Sequence, residues 1–270
     1  MINGFDFNGK HSFRDFGLVT KIKNRPLLPE PKIVVEEVPH RDGELDFSEV
    51  NPDKRTKYKP RTIEVECAFV QRNMKYLQQK AHMIAAWLAA GERSLIFDDE
   101  TAVFYLARVV NRLDLENQIA RIGRFTLQFK CRPFAFSRIK SNEQPRFGQG
   151  LLFGYGCRFS GPTIFPISGP TNLNIHNPGT YVKPLIRITG AFETLSFTCG
   201  NRTLHCNAVQ LGGVLEVDCE KMEAVKDGSF NALNSLAGNF IEFAHGENLL
   251  QITGTGINCT ITLIFNYLYF

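Results

Sequence analysis

RTIEVECAF (residues 61–69) and RFTLQFKC (124–131) each alternate apolar and polar side chains: Ile63, Val65, Cys67 and Phe69 with Glu64 and Glu66 between them, then Phe125, Leu127, Phe129 and Cys131 separated by Thr126, Gln128 and Lys130. A period of two places one set of side chains on a core and the other in water, so each stretch predicts a strand with one wet face. The run Val103 to Val110 is apolar at both parities apart from Arg108, which predicts a strand covered on both sides. A cover for these strands is encoded between them. Asn73 is a suitable N-cap, Met74, Leu77, Ala81, Ile84 and Leu88 recur at spacings of three and four, and Gly91 stops the run, which predicts a helix over about 73–90. Trp87 and Met83 widen its apolar face towards a sheet or a neighbouring subunit.

The chain has 270 residues, more than one core usually needs at about 150 residues per domain, so two domains are expected. After Arg132 and Pro133 the character changes, and 137–150 carries charge, Gln, Pro and Gly without periodicity. We therefore place an N-terminal domain at 1–136, a linker at 137–150 and a C-terminal domain at 151–270. The second half has no helical period. Short strand candidates recur at Leu185 to Ile188, Leu195 to Thr198, Val214 to Val217, Phe240 to Phe243, Leu249 to Thr253 and Ile257 to Phe270. That spacing predicts an antiparallel β-sandwich. The fold class is thus mainly β: an N-terminal β-sandwich or barrel-like domain with one α-helix, then a second sandwich. The 23 phenylalanines fit this class, because aromatic side chains favour pleated, half-buried surfaces.

Composition excludes several roles. Apolar residues at 43% and charged ones at 21% are ordinary for a globular chain and give no reason to invoke wholesale disorder. The net charge is only +4, with the surplus partly concentrated at Lys54, Arg55, Lys57, Lys59 and Arg61, so nucleic acid is not the expected partner. No apolar run approaches the roughly 20 residues that cross a bilayer, and MINGFDFNGK lacks the charged-then-apolar order of a secretion signal. Synthesis and folding in the cytoplasm are expected. The seven cysteines are an odd number in mostly apolar, strand-like contexts and read as reduced core thiols.

No catalytic pattern emerges. The six histidines form no HExxH or paired helical spacing. Cys199, His205 and Cys206 are the densest soft-ligand group, and packing accounts for them without a metal. Glu64, Glu66 and Glu216 sit on polar strand faces, and Asp98, Asp99 and Glu100 form a turn between strands. GxSxG, P-loop and dinucleotide fingerprints are missing from the sequence. The chain therefore reads as a non-enzyme with no metal and no cofactor. Two stretches have few packing signals, Asn24 to Pro31 with three prolines and Pro39 to Pro60 with many charges. Long irregular loops in a compact domain are usually functional, so partner contacts are expected there.

Taken in order, PHRDGELDFSE (39–49), YKPRTIEVECAF (58–69) and RFTLQFKCRPFAF (124–136), then NPGTYVKPLIRITG (177–190), VLEVDCEKMEAV (214–225) and AGNFIEFAHGENLLQIT (237–253), resemble the distal tail protein family of long-tailed siphophages. Gly179 and Gly246 suit turns needing positive φ, Asn177 and Asn248 can brace turns, and Asp42-Gly43 is a hairpin signal. The resemblance implies a ring, usually a homohexamer, whose N-terminal domains surround a channel while galectin-like C-terminal domains project outwards. Such a ring sits at the virion's tail tip and joins the tail tube protein to a tail-associated fibre or lysin protein, and in many phages also holds receptor-binding proteins. On that basis Arg41, Asp42, Gly43, Lys57, Tyr58, Arg61 and Trp87 are candidate assembly contacts. No large insertion interrupts Leu151 to Phe270, so added sugar-binding modules are not expected. Two other readings remain open: a carbohydrate-binding adhesion module, which would expose aromatics around Phe153, Tyr155 and Tyr181, and a cell-wall hydrolase.

Overall fold

The computed structural model describes residues 4–51, 54–69, 74–111, 124–144, 162–207 and 210–270. The chain divides into two units, residues 1–136 with Phe270, and Ser137–Tyr269. In the first unit the strands are β1 (Phe5–Phe7), β2 (Lys10–His11), β3 (Leu18–Asn24), β4 (Val35–Glu37), β5 (Glu44–Asp46), β6 (Arg61–Phe69), β7 (Arg93–Phe97), β8 (Val103–Val109) and β9 (Arg124–Cys131), with helix α1 (Met74–Leu88) between β6 and β7. β10 (Ala135–Lys140) crosses the division between units, so the first residues assigned above to a linker are strand. The apolar-polar alternation of Ala135 to Ile139 is too short to stand out from the irregular sequence that follows.

Seven strands of the first unit run β2-β1-β7-β8-β9-β6-β3, each antiparallel to its neighbour. The alternating stretches 61–69 and 124–131 are hydrogen-bonded partners, Ile63 opposite Phe129 and Cys67 opposite Phe125. Their apolar sets are buried apart from Phe69 at the end of β6, which is half-buried: Ile63, Val65, Leu127 and Phe129 are each 0% exposed. In β8 only one parity is fully buried, while Phe104 and Leu106 are half-buried, so the strand is not closed on both faces as its apolar run implied.

Helix α1 covers the buried face through Ala81, Ile84, Trp87 and Leu88. Trp87 stacks on Phe16 at 4.4 Å and on Phe5 at 5.7 Å, and its Nε1 donates to the Phe7 carbonyl at 2.6 Å. A buried indole thereby satisfies its only polar atom while adding a large apolar area. Asn73 and the side chains of Met74 and Leu77 lie outside the described residues.

The second unit holds β11 (Ile164–Ile167), β12 (Thr171–Asn177), β13 (Leu185–Phe192), β14 (Thr194–Cys199), β15 (Arg202–Cys206), β16 (Gln210–Asp218), β17 (Glu223–Lys226), β18 (Phe230–Asn231), β19 (Leu236–Gly238), β20 (Gly246–Thr255), β21 (Asn258–Ile264) and β22 (Asn266–Tyr269). Two antiparallel sheets, β11-β21-β13-β16-β17-β18 and β12-β20-β14-β15-β19, share one core that includes Ile186, Val217, Phe197, Leu250 and Ile261. That is the expected sandwich. Two strand expectations are corrected. Ile257 to Phe270 is broken at Phe265, because β21 pairs with β11 and β13 whereas β22 pairs with β10. Phe240 to Phe243 is no strand, and of these residues Phe243 alone makes a bridge, to Val182. Asn177 and Asn248 hold this stretch instead.

Asn177 is fully buried, and its side-chain amide donates to the carbonyls of Thr180, Phe243 and Ala244 while its Oδ1 accepts from the Gly179 amide at 3.1 Å. Asn248 accepts from the Ala244 amide at 2.8 Å and donates to Ala244 and Gly246 carbonyls at 2.9 and 3.1 Å. Gly246 takes the positive φ expected of it, +89°, but Gly179 does not appear among the positive-φ glycines. Its requirement is space, since a Cβ there would strike the Leu268 backbone, 2.7 Å from the nitrogen and nearer still to the oxygen. All six cysteines in the described residues are buried and free. Burial pushes the thiols of Cys131, Cys206 and Cys219 up to about 12.

Candidate assembly surface

Residues 25–61 of the first unit leave the sheet after β3 and return into β6, and the sequence explains how they are held. Three prolines between Pro26 and Pro31 remove backbone donors and prevent a continued strand. The departing and returning segments then clip together: Lys32 donates its amide to the Lys57 carbonyl, Lys59 donates to the Glu30 carbonyl, both at 2.7 Å, and Pro31 faces Tyr58 across an isolated bridge. Beyond this stem, β4 and β5 form a hairpin with Val35 opposite Asp46. Its turn uses His40 at φ +65° and Gly43 at φ +78°, so the Asp42-Gly43 signal marks the turn it was read for. Phe47 and Ser48 bond back to Val34, closing the hairpin base.

Two arginines fix the root. Arg25 makes a bidentate pair with Asp99, at 3.0 and 2.9 Å, and lies over the Phe97 ring at 5.2 Å. Arg61 is only 3% exposed, and its guanidinium donates to the carbonyls of Pro133, Pro26 and Leu27 and lies 5.6 Å from the centre of the Tyr105 ring. Burial pulls its pKa down from the usual arginine value. The fork of N–H groups thus gathers three carbonyl oxygens around one buried cation.

Every residue from Lys32 to Glu44 is exposed. This arm also carries apolar side chains where water should favour polar ones. Leu27 is 83% exposed, Ile33 65%, Val34 55% and Val50 74%, with Leu28, Val35, Val38 and Phe47 also exposed. Singly exposed apolar residues are ordinary, whereas a concentration of this kind is a feature of interaction surfaces.

The candidate contacts separate accordingly. Arg41, Asp42 and Gly43 lie exposed at the hairpin tip, and Lys57 and Tyr58 are half-buried in the stem. The Tyr58 ring meets Phe134 at 5.7 Å and Phe270 at 5.3 Å, edge to face. Arg61 and Trp87 are buried in the unit, where both side chains are engaged by groups of their own fold. Sequence reasoning missed the apolar residues of the arm. Their signal was available, since IVV at 33–35 sits in a stretch of otherwise solvated character. Of the aromatics that an adhesion module would expose, Tyr181 is half-buried, and Phe153 and Tyr155 lie outside the described residues.

A family model described as the phage tail protein RIFT-related domain matches residues 13–131. Curated protein sequences give no match. The crystal structure of the Dit protein of phage SPP1, called a paradigm of the hub adsorption apparatus in phages infecting Gram-positive bacteria, has a similar fold. Its TM-score is 0.70 at 13% identity, covering 100% of both chains. The baseplate of phage P2 in its activated conformation with Ca gives a TM-score of 0.46 at 8% identity over 98% of each chain, too remote to support an argument. Residues 13–131 thus match the phage tail protein RIFT-related domain, and the whole chain shares the fold of the SPP1 Dit protein.

Proposed function

We propose that this protein is a non-catalytic structural component of the phage tail tip, a hub in which copies close into a ring, six by family resemblance. The ring joins the tail tube protein on one side to a tail-associated fibre or lysin protein on the other, and it offers attachment for receptor-binding proteins. Its place is the virion, after synthesis in the host cytoplasm. The observation that carries the reading is the arm at 25–61, which lies within the phage tail domain and keeps a row of apolar side chains in water. A second copy is the natural cover in a ring, because a repeated head-to-tail contact closes once the rotation between neighbours divides a full turn.

Solution mass over a concentration series, with negative-stain images of the same sample, tests this. Rings with an open centre are expected, and the double variant Ile33→Asp, Val50→Asp should remain folded yet fail to form them. Wild-type rings that persist unchanged in that variant would remove the arm from the assembly. A wild-type chain that stays monomeric alone and with tube protein would refute the hub.

A further inference from the structure

We propose that the exposed end of β12, Thr171–Asn174, is a docking edge to which an extended, uncharged segment of a partner protein adds as a further strand. The argument comes from how the described strands treat their free edges. An open edge presents unpaired N–H and C=O groups, and proteins blunt such edges by shortness, charge, proline, bulges or cover. β2 and β18 have two residues each and β19 has three. β3 carries Lys21 and Lys23 and shifts register between Ile22 and Asn24. β11 contains Pro166, and the β4–β5 hairpin carries Glu36, Glu37, Glu44 and Asp46. β22 is covered where Thr180 donates its amide to the Leu268 carbonyl at 2.7 Å.

Among the described residues β12 has none of these devices. Its seven residues, TNLNIHN, include no proline and no Lys, Arg, Asp or Glu, and they pair with β20 without a register shift from Thr171 opposite Ile252 to Asn177 opposite Gly246. Ile175 and Asn177 are buried, which covers the far end, whereas Asn172 and Asn174 are exposed and Thr171 and Leu173 half-buried. In an antiparallel ladder alternate residues direct their backbone groups away from the partner strand, so this stretch offers hydrogen bonds outward. The chemistry that fits is β-augmentation: main-chain bonds supply affinity, while side-chain alternation sets preference. An added strand would set apolar residues beside Leu173 and neutral hydrogen-bonding ones beside Asn172 and Asn174. The proposal stands apart from ring formation, because the edge lies outside the arm.

Hydrogen exchange on the full chain, with a capped peptide of alternating threonine and valine as probe, tests it. The outward-facing amides of Thr171–Asn174 should exchange rapidly in the chain alone and about tenfold more slowly with the peptide, and the peptide with a central proline should give no slowing. The variant Asn172→Lys, Asn174→Lys should keep its thermal midpoint and bind the probe about tenfold more weakly. Slow exchange in the chain alone, equal slowing by the proline peptide, or slowing that follows the chain's own concentration would each overturn the proposal, the last by making a second copy the occupant.

Discussion

Replacing Asn177 tests whether one buried amide holds the segment that lacks strand pairing. Asn177→Ala removes donation to the Thr180, Phe243 and Ala244 carbonyls and the acceptor for the Gly179 amide. The Phe243 contact, at 3.4 Å, is weak, which leaves three bonds of ordinary strength. At about 1 kcal/mol each, and with the buried Gly179 amide losing its acceptor, the loss is roughly 3 kcal/mol. For a unit of this size that is a fall of roughly 10 °C in the midpoint of its transition. Asn177→Asp sharpens the test, because a carboxylate keeps the acceptor but turns an anion towards carbonyl oxygens. Its folded pKa must then lie above the unfolded value of about 3.9. An acid shifted in that direction destabilises increasingly as pH rises from the unfolded to the folded pKa, so the aspartate variant should recover stability on acidification while the alanine variant does not. Thermal unfolding followed by circular dichroism measures the change, and fluorescence of Trp87, the single tryptophan, reports the other unit as an internal control. An alanine variant within about 0.5 kcal/mol of wild type, a surface-like effect, would refute the reasoning.

Trp87→Phe removes the indole donor to Phe7 and part of the stacking on Phe16, and should cost the first unit about 2 kcal/mol in urea unfolding followed by circular dichroism. Gly179→Ala should destabilise the second unit by about 2 kcal/mol or more, because the added methyl meets backbone of Leu268 that has no rotamer to yield; a neutral result in the same thermal assay would disprove the close approach. Arg61→Met should leave the Pro133 and Pro26 carbonyls without donors and loosen the root of the arm, read as faster proteolytic cleavage within residues 25–61. Iodoacetamide at pH 8 should leave Cys131, Cys206 and Cys219 unlabelled in the folded chain and label them after denaturation, since thiols held at about 12 supply almost no thiolate; labelling of native protein, located by peptide mass spectrometry, would contradict their burial.

Side-chain parity was legible in the sequence, and the choice of partner strands was not. Ile63 to Phe69 and Phe125 to Cys131 could be read as one-faced strands from their alternation, and the structure pairs them with each other. The same alternation runs unbroken through Phe265, where the chain nonetheless changes sheets, because parity records which face a residue takes and carries nothing about which neighbour it bonds. Asn177 and Asn248 were recognisable as turn braces, yet their reach to Ala244 depends on contacts 67 residues apart for Asn177 and only four for Asn248. Arg61 shows the limit most plainly. It closes a basic stretch that reads as solvated, and only the folded chain supplies the three carbonyls that make its burial tolerable.

In the proposed ring, the arm's anchored root and its exposed body would serve one purpose. A loop free to collapse would bury Ile33, Val34 and Val50 against its own unit and lose them as contacts. The Arg25 pair with Asp99, the Arg61 fork and the bonds between Glu30 to Lys32 and Lys57 to Lys59 instead fix its two strands at the base. Ordering a segment before it meets a partner lowers the conformational cost that association must otherwise overcome. Weakening the root and removing the apolar surface should therefore have different signatures: Arg61→Met should reduce affinity between copies without abolishing the contact, whereas Ile33→Asp with Val50→Asp should abolish it while the stem stays intact. If both variants failed alike while remaining folded, the distinction between holding the arm and using it would be wrong.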